Sequence, residues 1–597
     1  MKYIHSLCIV ILLFSNACKR DFLDVERKDA LTIPTTFVQY DGFLAYSWQF
    51  YGAFPGYSNT IVDKDNNSDL ISISQPNNRP NFIWQTYVIP ATSDDYSGAY
   101  SRIRAINIML DHIDGSTMSD VDKKHWRSVG YFFRAFNYAE LINLYGDVSY
   151  VNRALTDGDT EELLSARTPR DQVAQNILSD LQYAETNIKP AGDGVNTINT
   201  NVVRALISRF GLREGTWRKY HSLQNADIYL RASATASEKL MTALPTLLPS
   251  YEQDFNSENL ITGTTLAPGI ILCKQYVATQ ITHAFSSNTR NSAGRYDLTK
   301  KAADMYLMAD GQTRFTSPQF EGDQSPYTEF KNRDRRFLLT VPPPYKVTTP
   351  NTQSQTYTLT ANAVESSYFA VMQAISTSQT KTLPNRNWNG FVVIQEPHFQ
   401  DNNLGQPFSV TYTGYRFTKY YNQLITGQQG QDISDCPIFR MGEVLLNYAE
   451  AKYELSEFNQ TITDQTINKL RARGGVQGLI ITNIPNDPTR DVTVDPILWE
   501  IRRERAVELM GDGFRFDDLR RWKKMSYATE RKLGRWIKKG VDVPANSVIP
   551  ILNGATEGYI AYEQQPPSSF PDYYYLYPIP SNQTAINPKI IQNPGWK

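Results

Sequence analysis

The chain is short of several things that would settle its chemistry at once. It has 597 residues and four cysteines. Two of these, Cys8 and Cys18, fall in or next to an apolar leader, so only Cys273 and Cys436 remain for the body. So few cysteines exclude a disulfide-built scaffold, and a chain of this length buries enough apolar surface without staples. Whether Cys273 and Cys436 pair is a matter of geometry that spacing leaves open. Charge of one sign is also missing: 60 Lys and Arg stand against 61 Asp and Glu, without basic clusters. A nucleic-acid partner therefore has no electrostatic support. Past the leader no apolar run reaches the length of a membrane span. Histidine is scarce, and His112, His125, His221, His283 and His398 make no His-Glu-x-x-His spacing. Neither a Gly-x-Ser-x-Gly elbow nor a papain-type cysteine signature occurs. Zinc and nucleophile chemistry are disfavoured, and no cofactor, metal or catalytic residue is expected.

The leader itself is informative. Lys2 precedes the apolar run Leu7 to Phe14, then Ser15, Asn16, Ala17 and Cys18. One positive charge, a short apolar run and a small residue before the break describe a signal peptide over residues 1–17. Cys18 stands where a bacterial lipoprotein is cleaved and acylated, although Ser15 occupies a position where Leu is usual. Lipidation at Cys18 is expected to anchor the protein at a membrane without a spanning helix. Aromatic residues make up 12% of the chain, with 36 tyrosines and 9 tryptophans. Such an excess suits wet binding surfaces, where a flat apolar ring carries a polar tip, and equally suits a core.

Helical periodicity dominates from about Thr36 to Val203. Between Trp126 and Tyr145, Val129, Phe132, Phe136 and Ala139 follow one helical row while Tyr138, Leu141 and Tyr145 follow another, which predicts a helix packed on two sides. Thr168 as N-cap, Pro169 at the first position and Asp171 at the third predict a helix through Ala184. Another is predicted over Asn201–Trp217, with Ala205 and Ser208 small enough for a close neighbour. From about Asn256 to Asp435 polar residues, Gly and Pro dominate, with short β-type runs at Tyr357 to Leu359 and Phe391 to Ile394. Helices return at Phe439–Phe458, Thr463–Arg473 and Pro496–Met510, the last capped by Asp495 and stopped by Gly511 and Gly513. Consecutive two-sided helices point to a stack of helical hairpins.

A set of ordered segments then carries a resemblance. The run Tyr131-Phe-Phe-Arg-Ala-Phe-Asn-Tyr-Ala-Glu-Leu-Ile-Asn-Leu-Tyr-Gly-Asp-Val is followed by Arg167-Thr-Pro-Arg-Asp, Asp310-Gly, Asn332-Arg-Asp-Arg-Arg-Phe and Thr413-Gly-Tyr. Later come Arg440-Met-Gly-Glu-Val-Leu-Leu-Asn-Tyr-Ala-Glu-Ala, Leu470-Arg-Ala-Arg-Gly-Gly, Ile501-Arg-Arg-Glu-Arg-Ala-Val-Glu-Leu, Gly513-Phe-Arg-Phe-Asp-Asp-Leu-Arg-Arg-Trp, Pro578-Ile-Pro and Gln592-Asn-Pro-Gly. Together they resemble the SusD/RagB family of nutrient-binding outer-membrane lipoproteins. The resemblance implies a mostly α fold of tetratricopeptide-like stacked helix pairs with a loop-rich, mixed α/β second lobe. The expected organisation is an N-terminal helical part over 18–300 and a C-terminal part over 301–597, forming one globular unit. The implied role is capture of a glycan at the cell surface and its delivery to a SusC-like TonB-dependent outer-membrane transporter. A peptide cargo, a lid with little affinity of its own and, last, a surface glycoside hydrolase stand as alternatives.

Several residues need weighing. Arg502, Arg503, Glu504, Arg505 and Glu508, with Asp512, Arg515, Asp517, Asp518, Arg520 and Arg521, form a near-balanced charge cluster. Glu504 and Glu508 lie four apart on one helix face, whereas glycosidase carboxylates flank a substrate from two sides, so an ion-pair network is expected. Asp63, Asp65, Asn67 and Asp69 alternate like the first ligands of a calcium loop. Ser68 stands where Gly is needed and Ser74 where the bidentate acid is needed, so a solvated polar turn is expected instead. A sugar site needs exposed rings for C–H faces and polar groups for hydroxyl edges. Trp84 and Tyr87, in Asn81-Phe-Ile-Trp-Gln-Thr-Tyr, and Trp388, among Asn385, Arg386, Asn387 and Asn389, are the expected ring contacts, with Tyr57, Phe285 and Tyr296 as further candidates.

Overall fold

A computed structural model describes residues 36–73, 79–256, 259–285, 296–348, 358–359, 361–376, 392–394, 411–420 and 430–597. The frame is helical. After a first helix over Tyr40–Ser47 it runs through α1 (Asn59–Asp65) and strand β1 (Ile71–Ile73), then α2 (Asp94–His112), α3 (Asp120–Tyr145), α4 (Arg170–Asn187), α5 (Thr200–Tyr220) and α6 (Ala226–Ala243). From α2 onward each of these helices packs on the next.

Helix α3 shows how the sequence builds this stack. Ser119 caps it by accepting the Asp122 N–H at 3.2 Å, and Gly146, at φ +74°, ends it. Its two apolar rows bury Phe132 and Tyr138 completely, Phe132 and Phe136 packing on Phe54 and Tyr145 on Tyr96 of α2. Fully burying one such ring stabilises the fold by roughly 1.5–3 kcal/mol. The α5–α6 contact depends on small residues instead. Ser208 and Ser237 hydroxyls meet at 2.8 Å, the Ser233 hydroxyl donates to the Ser208 carbonyl at 2.7 Å, and a Cβ on Gly211 would lie 2.6 Å from the Tyr229 carbonyl oxygen.

The middle of the chain supplies β2 (Ile270–Lys274), β3 (Tyr296–Leu298), α7 (Lys300–Met305) and α8 (Ala363–Ile375). The C-terminal part adds β4 (Cys436–Arg440), α9 (Met441–Glu454), α10 (Gln460–Gln465), α11 (Ile467–Gly474), α12 (Pro496–Glu508) and α13 (Arg515–Arg521). Sheets are small and join distant segments: β1 pairs antiparallel with β3, and β2 with β4. Helix α9 returns onto α5 and α6, where the Asn447 amide donates to the Ser208 hydroxyl at 3.0 Å.

Boundaries differ from the sequence reading where long-range partners intervene. Thr168 does not cap α4; its backbone bridges Val148 in both directions, and Asp147 accepts the Arg170 N–H at 2.8 Å in its place. Residues 436–440 are taken by pairing with β2, so the helix predicted from Phe439 begins at Met441. The helix predicted over Thr463–Arg473 breaks at Thr466, whose backbone leaves the helical region at φ −124°, ψ −86°. Helix α8 lies inside the stretch read as loop, opened by Asn362, whose side chain accepts the Val364 and Glu365 N–H groups. The short runs near 358 and 392 are strands, Thr358–Leu359 and Val392–Ile394, flanking Lys346–Thr348 in one sheet. Asp495 caps α12 by accepting the Ile497 N–H at 2.9 Å, as the sequence predicts.

The charge cluster is a buried seam between α9, α11, α12 and α13. Glu508 receives the guanidinium groups of Arg336, Arg440 and Arg473. Arg521 grips Glu450 with both terminal nitrogens at 2.6 Å, and the Trp522 ring N–H adds a third contact to the same carboxylate at 2.6 Å. Burial alone would raise the Glu450 carboxyl, but the Arg521 guanidinium overrides it and holds the group at about 2.

Candidate functional site

Trp84 and Tyr87 sit on a compact turn. The Trp84 N–H donates to the Pro80 carbonyl at 2.9 Å and the Thr86 N–H to the Asn81 carbonyl at 2.9 Å. Phe82 and Ile83 are the anchors, buried at 3% and 1% exposure, which leaves Trp84 and Tyr87 half-buried at the edge of the core. Phe82 lies 4.2 Å from the Tyr577 ring. Tyr87 leans on Phe82, Tyr577 and Trp596, and burial, with Asp95 adding to it, pushes its phenol above the ordinary range.

The guanidinium of Arg79 lies over the Trp84 ring at 4.7 Å and also donates to the Gln564 side-chain oxygen. The Gln85 amide donates to the Ser569 carbonyl. Tyr573, 37% exposed, presents its edge to Trp596 at 5.1 Å. The turn therefore meets the C-terminal segment, and together they form a surface of half-buried rings flanked by a guanidinium and carboxamides. Flat rings can take the C–H face of a sugar, while Arg and Gln groups bond its hydroxyls. Arg79, five residues before Trp84, was not singled out from sequence, and Gln564 and Tyr573 reach this turn from the far end of the chain, which local spacing does not show. The tyrosine-rich run Asp572–Tyr577 was the visible signal.

The other ring candidates do not meet the requirement for exposure. Tyr57, Phe285 and Tyr296 are 6%, 2% and 2% exposed. Tyr57 stacks on Phe285 at 5.6 Å and donates to the Phe255 carbonyl at 2.9 Å; the Tyr296 hydroxyl donates to Asp63 at 2.8 Å. All three lie within the aromatic core at whose edge Trp84 and Tyr87 stand. Tyr57 also lines a cavity of about 90 Å³ shared with Tyr420, Arg440 and Asp512, too small for a sugar ring. Trp388 and Cys18 lie outside the described residues.

The alternating string near 63–69 is not a solvated turn. Asp65 and Asp69 are 0% and 3% exposed. Asp65 accepts the Gly513 N–H at 3.0 Å, and Asp69 takes both Nε and Nη2 of Arg515 at 2.8 and 2.9 Å. Each carboxylate turns to a different partner rather than to a common centre. Burial raises the Asp65 carboxyl to about 7 against the opposing Gly513 and Phe516 N–H groups. Among the described residues no cluster of His, Cys, Asp and Glu is placed to hold a metal, and no helix is long and apolar enough to cross a membrane. Cys273 and Cys436 are free and buried. They pack in different clusters, Cys273 with Leu260 and Ile270 and Cys436 with the aromatic core. Glu504 and Glu508 converge on the Arg336 guanidinium at 2.6 and 3.2 Å, an ion-paired arrangement.

A model of the SusD family matches residues 274–596, just over half of the chain. The chain belongs to the SusD family. A second family model, described as "Starch-binding associating with outer membrane", matches residues 21–212 of this SusD-family protein. A SusD-like protein of Formosa agariphila is 26% identical over 208 residues, 32% of this chain and 38% of that protein. Another from the same organism is 42% identical over 55 residues, 9% of this chain and 11% of that one. The matches thus span well under half of these relatives. Among solved structures, a SusD-like protein of Bacteroides fragilis has a TM-score of 0.66 at 19% identity, covering 94% of this chain and 98% of that one. A SusD-like carbohydrate binding protein of the same organism has a TM-score of 0.65 at 18% identity, covering 93% and 100%. At these identities the likeness establishes the SusD fold: mostly helical, with few and small sheets.

Proposed function

We propose that this protein captures a glycan at the outer membrane and passes it to a SusC-like TonB-dependent transporter, tethered through lipid on Cys18. The observation that carries the reading is the ring surface at Trp84, where a half-buried indole, a guanidinium and two carboxamides stand together at the edge of the core. Family membership supports it, as does the likeness of the N-terminal part to a family of starch-binding proteins associating with the outer membrane. One structural relative is described as a laminarin binding SusD-like protein, with a TM-score of 0.53 at 16% identity over 93% of this chain and 98% of that one. Trp388 is proposed as a second ring, and Tyr87 as a supporting contact.

The test is calorimetric titration of the isolated protein with a panel of polysaccharides and peptides, repeated on Trp84→Ala and Trp388→Ala. Loss of one stacking ring is expected to cost about 1–3 kcal/mol of binding, roughly tenfold or more in affinity. Binding of peptides alone would transfer the cargo to that class. Binding of neither class would leave a lid. Hydrolysis abolished by one carboxylate substitution would revive the enzyme. For the anchor, Cys18→Ala is expected to move the protein to the soluble fraction in transporter-free cells. For the partner, mild detergent extraction and affinity capture should recover the barrel, and repeated recovery of this chain alone would refute the partnership.

A further inference from the structure

Lysine is seldom buried without a carboxylate beside it, because its ammonium group loses its hydration on leaving water. Lys532 is such a lysine, 7% exposed. Its Nζ donates to the Ile71 carbonyl at 2.6 Å and to the Asn66 carbonyl at 2.8 Å, and it lies 3.4 Å from Oδ1 of the Asn66 side chain. Among the described residues no carboxylate stands within ion-pair distance of it. Glu563 and Asp69 act on it from farther off; Glu563 accepts the Ser72 hydroxyl, and Asp69 takes Arg515. Burial outweighs both charges and draws the Lys532 amine below its ordinary value, so more of it is neutral than in a solvated lysine.

The carboxamide beside it is equally enclosed. Asn66 is 4% exposed and directly follows α1, where its N–H donates to the Val62 and Asp63 carbonyls, both at 3.2 Å. The segment of Lys532 is pinned as well: the Leu533 carbonyl accepts the Lys300 N–H at 2.7 Å, and the Gly534 N–H donates to the Ile560 carbonyl at 2.8 Å. Neither partner swings away without breaking these bonds. A neutral amine has two N–H groups and one lone pair. With the Ile71 and Asn66 carbonyls taking the two donors, the lone pair is what remains for the carboxamide. A desolvated lysine amine is a nucleophile, and holding it against one electrophile replaces a collision by a contact already made.

From this enclosed contact between an amine and a carboxamide, we infer that Lys532 and Asn66 join in an isopeptide cross-link once the chain has folded. Nζ attacks Cγ of Asn66. The Nζ–Cγ bond forms, the Cγ–Nδ2 bond breaks, and an Nζ proton passes to the departing nitrogen, which leaves as ammonia. One amide replaces another, so no oxidant or cofactor enters, and escape of ammonia to solvent draws the exchange forward. The bond joins residues 466 apart in sequence and ties α1 to the C-terminal part. A tie across so long a loop restricts the unfolded chain strongly. It stands independently of the glycan reading.

The experiment is mass spectrometry of the purified protein after denaturation and trypsin digestion. The peptides that carry Asn66 and Lys532 are expected as one branched species, lighter than their sum by one ammonia and uncut after Lys532. Lys532→Arg keeps a cation and its donors but supplies no lysine amine, and Lys532→Met removes both. In either variant the branched species should vanish and the Asn66 peptide should return to the mass of its sequence. The parent protein decides the matter even if neither variant folds. Recovery of the two parent peptides only as separate species overturns the assignment. So does an Asn66 peptide that is lighter by one ammonia but unbranched, which is a cyclic imide formed with its own backbone, or one that stays branched in Lys532→Arg.

Discussion

Two regions of the frame are held together in different ways. Between α2 and α6 the contacts are mainly rings, branched chains and small residues, with Phe132 and Tyr138 buried and Ser208, Gly211 and Ser237 letting α5 and α6 approach, joined by a few buried ion pairs such as Arg134–Asp180 and Arg170–Glu214. Between α9 and α13 the helices meet through guanidinium and carboxylate groups, nearly all buried. The first kind of contact is non-directional and tolerates a change of shape. The second fixes orientation, because each guanidinium needs its partner in a set plane. It also costs heavily when broken, since a lost partner leaves a charge out of water.

The largest expected effect breaks the charged seam. Glu508→Ala leaves Arg336, Arg440 and Arg473 facing one another without their shared carboxylate. A destabilisation of about 3–5 kcal/mol is expected, read by chemical denaturation. A loss no larger than that of an exposed Glu→Ala control would show that the seam contributes nothing through its charges.

Next in size is a pH effect at the edge of the seam. Asp65, whose folded carboxyl is raised to about 7 from an ordinary value of 3.8, binds its proton more tightly folded than unfolded. Its contribution is therefore fully favourable below about pH 4 and declines as pH rises toward 7. Asp65→Asn removes that titration while keeping one acceptor for the Gly513 N–H. The stability of the variant relative to the parent should rise between pH 4 and 7 by up to about 1.4 kcal/mol per pH unit. Parallel melting-temperature curves for the two proteins over that range would rule this out.

The smallest effect tests the apolar stack. Gly211→Ala places a methyl group 2.6 Å from the Tyr229 carbonyl oxygen, so α6 must shift, at about 1–3 kcal/mol. The loss should be the same at pH 5 and pH 8, since the residues around it carry no charge that titrates there. A pH-dependent loss would mean that stack and seam are coupled.

Much of the frame was legible in sequence because its rules are local. Two apolar rows on 126–145 mark a helix packed on both sides, Asp495-Pro496 marks a helix start, and alternating Arg and Glu on 502–521 mark an ion-pair network. Less of the ring surface was legible. The Asn81–Tyr87 run marks a turn with rings, yet which ring faces out depends on Tyr577 and Trp596, far along the chain. The same distance misled the reading of Tyr57, Phe285 and Tyr296, whose polar flanks suggest exposure while the fold buries them.

The sequence by itself determined the family, the helical frame and the presence of an ion-paired cluster over 502–521, since each is written in residue type and spacing, whereas the partners Arg336, Arg440, Arg473 and Glu450 come from elsewhere in the chain. Tertiary structure alone decided which polar residues are buried. Asp65 and Asp69 alternate like a solvated turn, but Gly513 and Arg515, some 450 residues away in sequence, draw them inside. Burial depends on what packs against a segment from elsewhere in the chain, and local spacing holds no record of that.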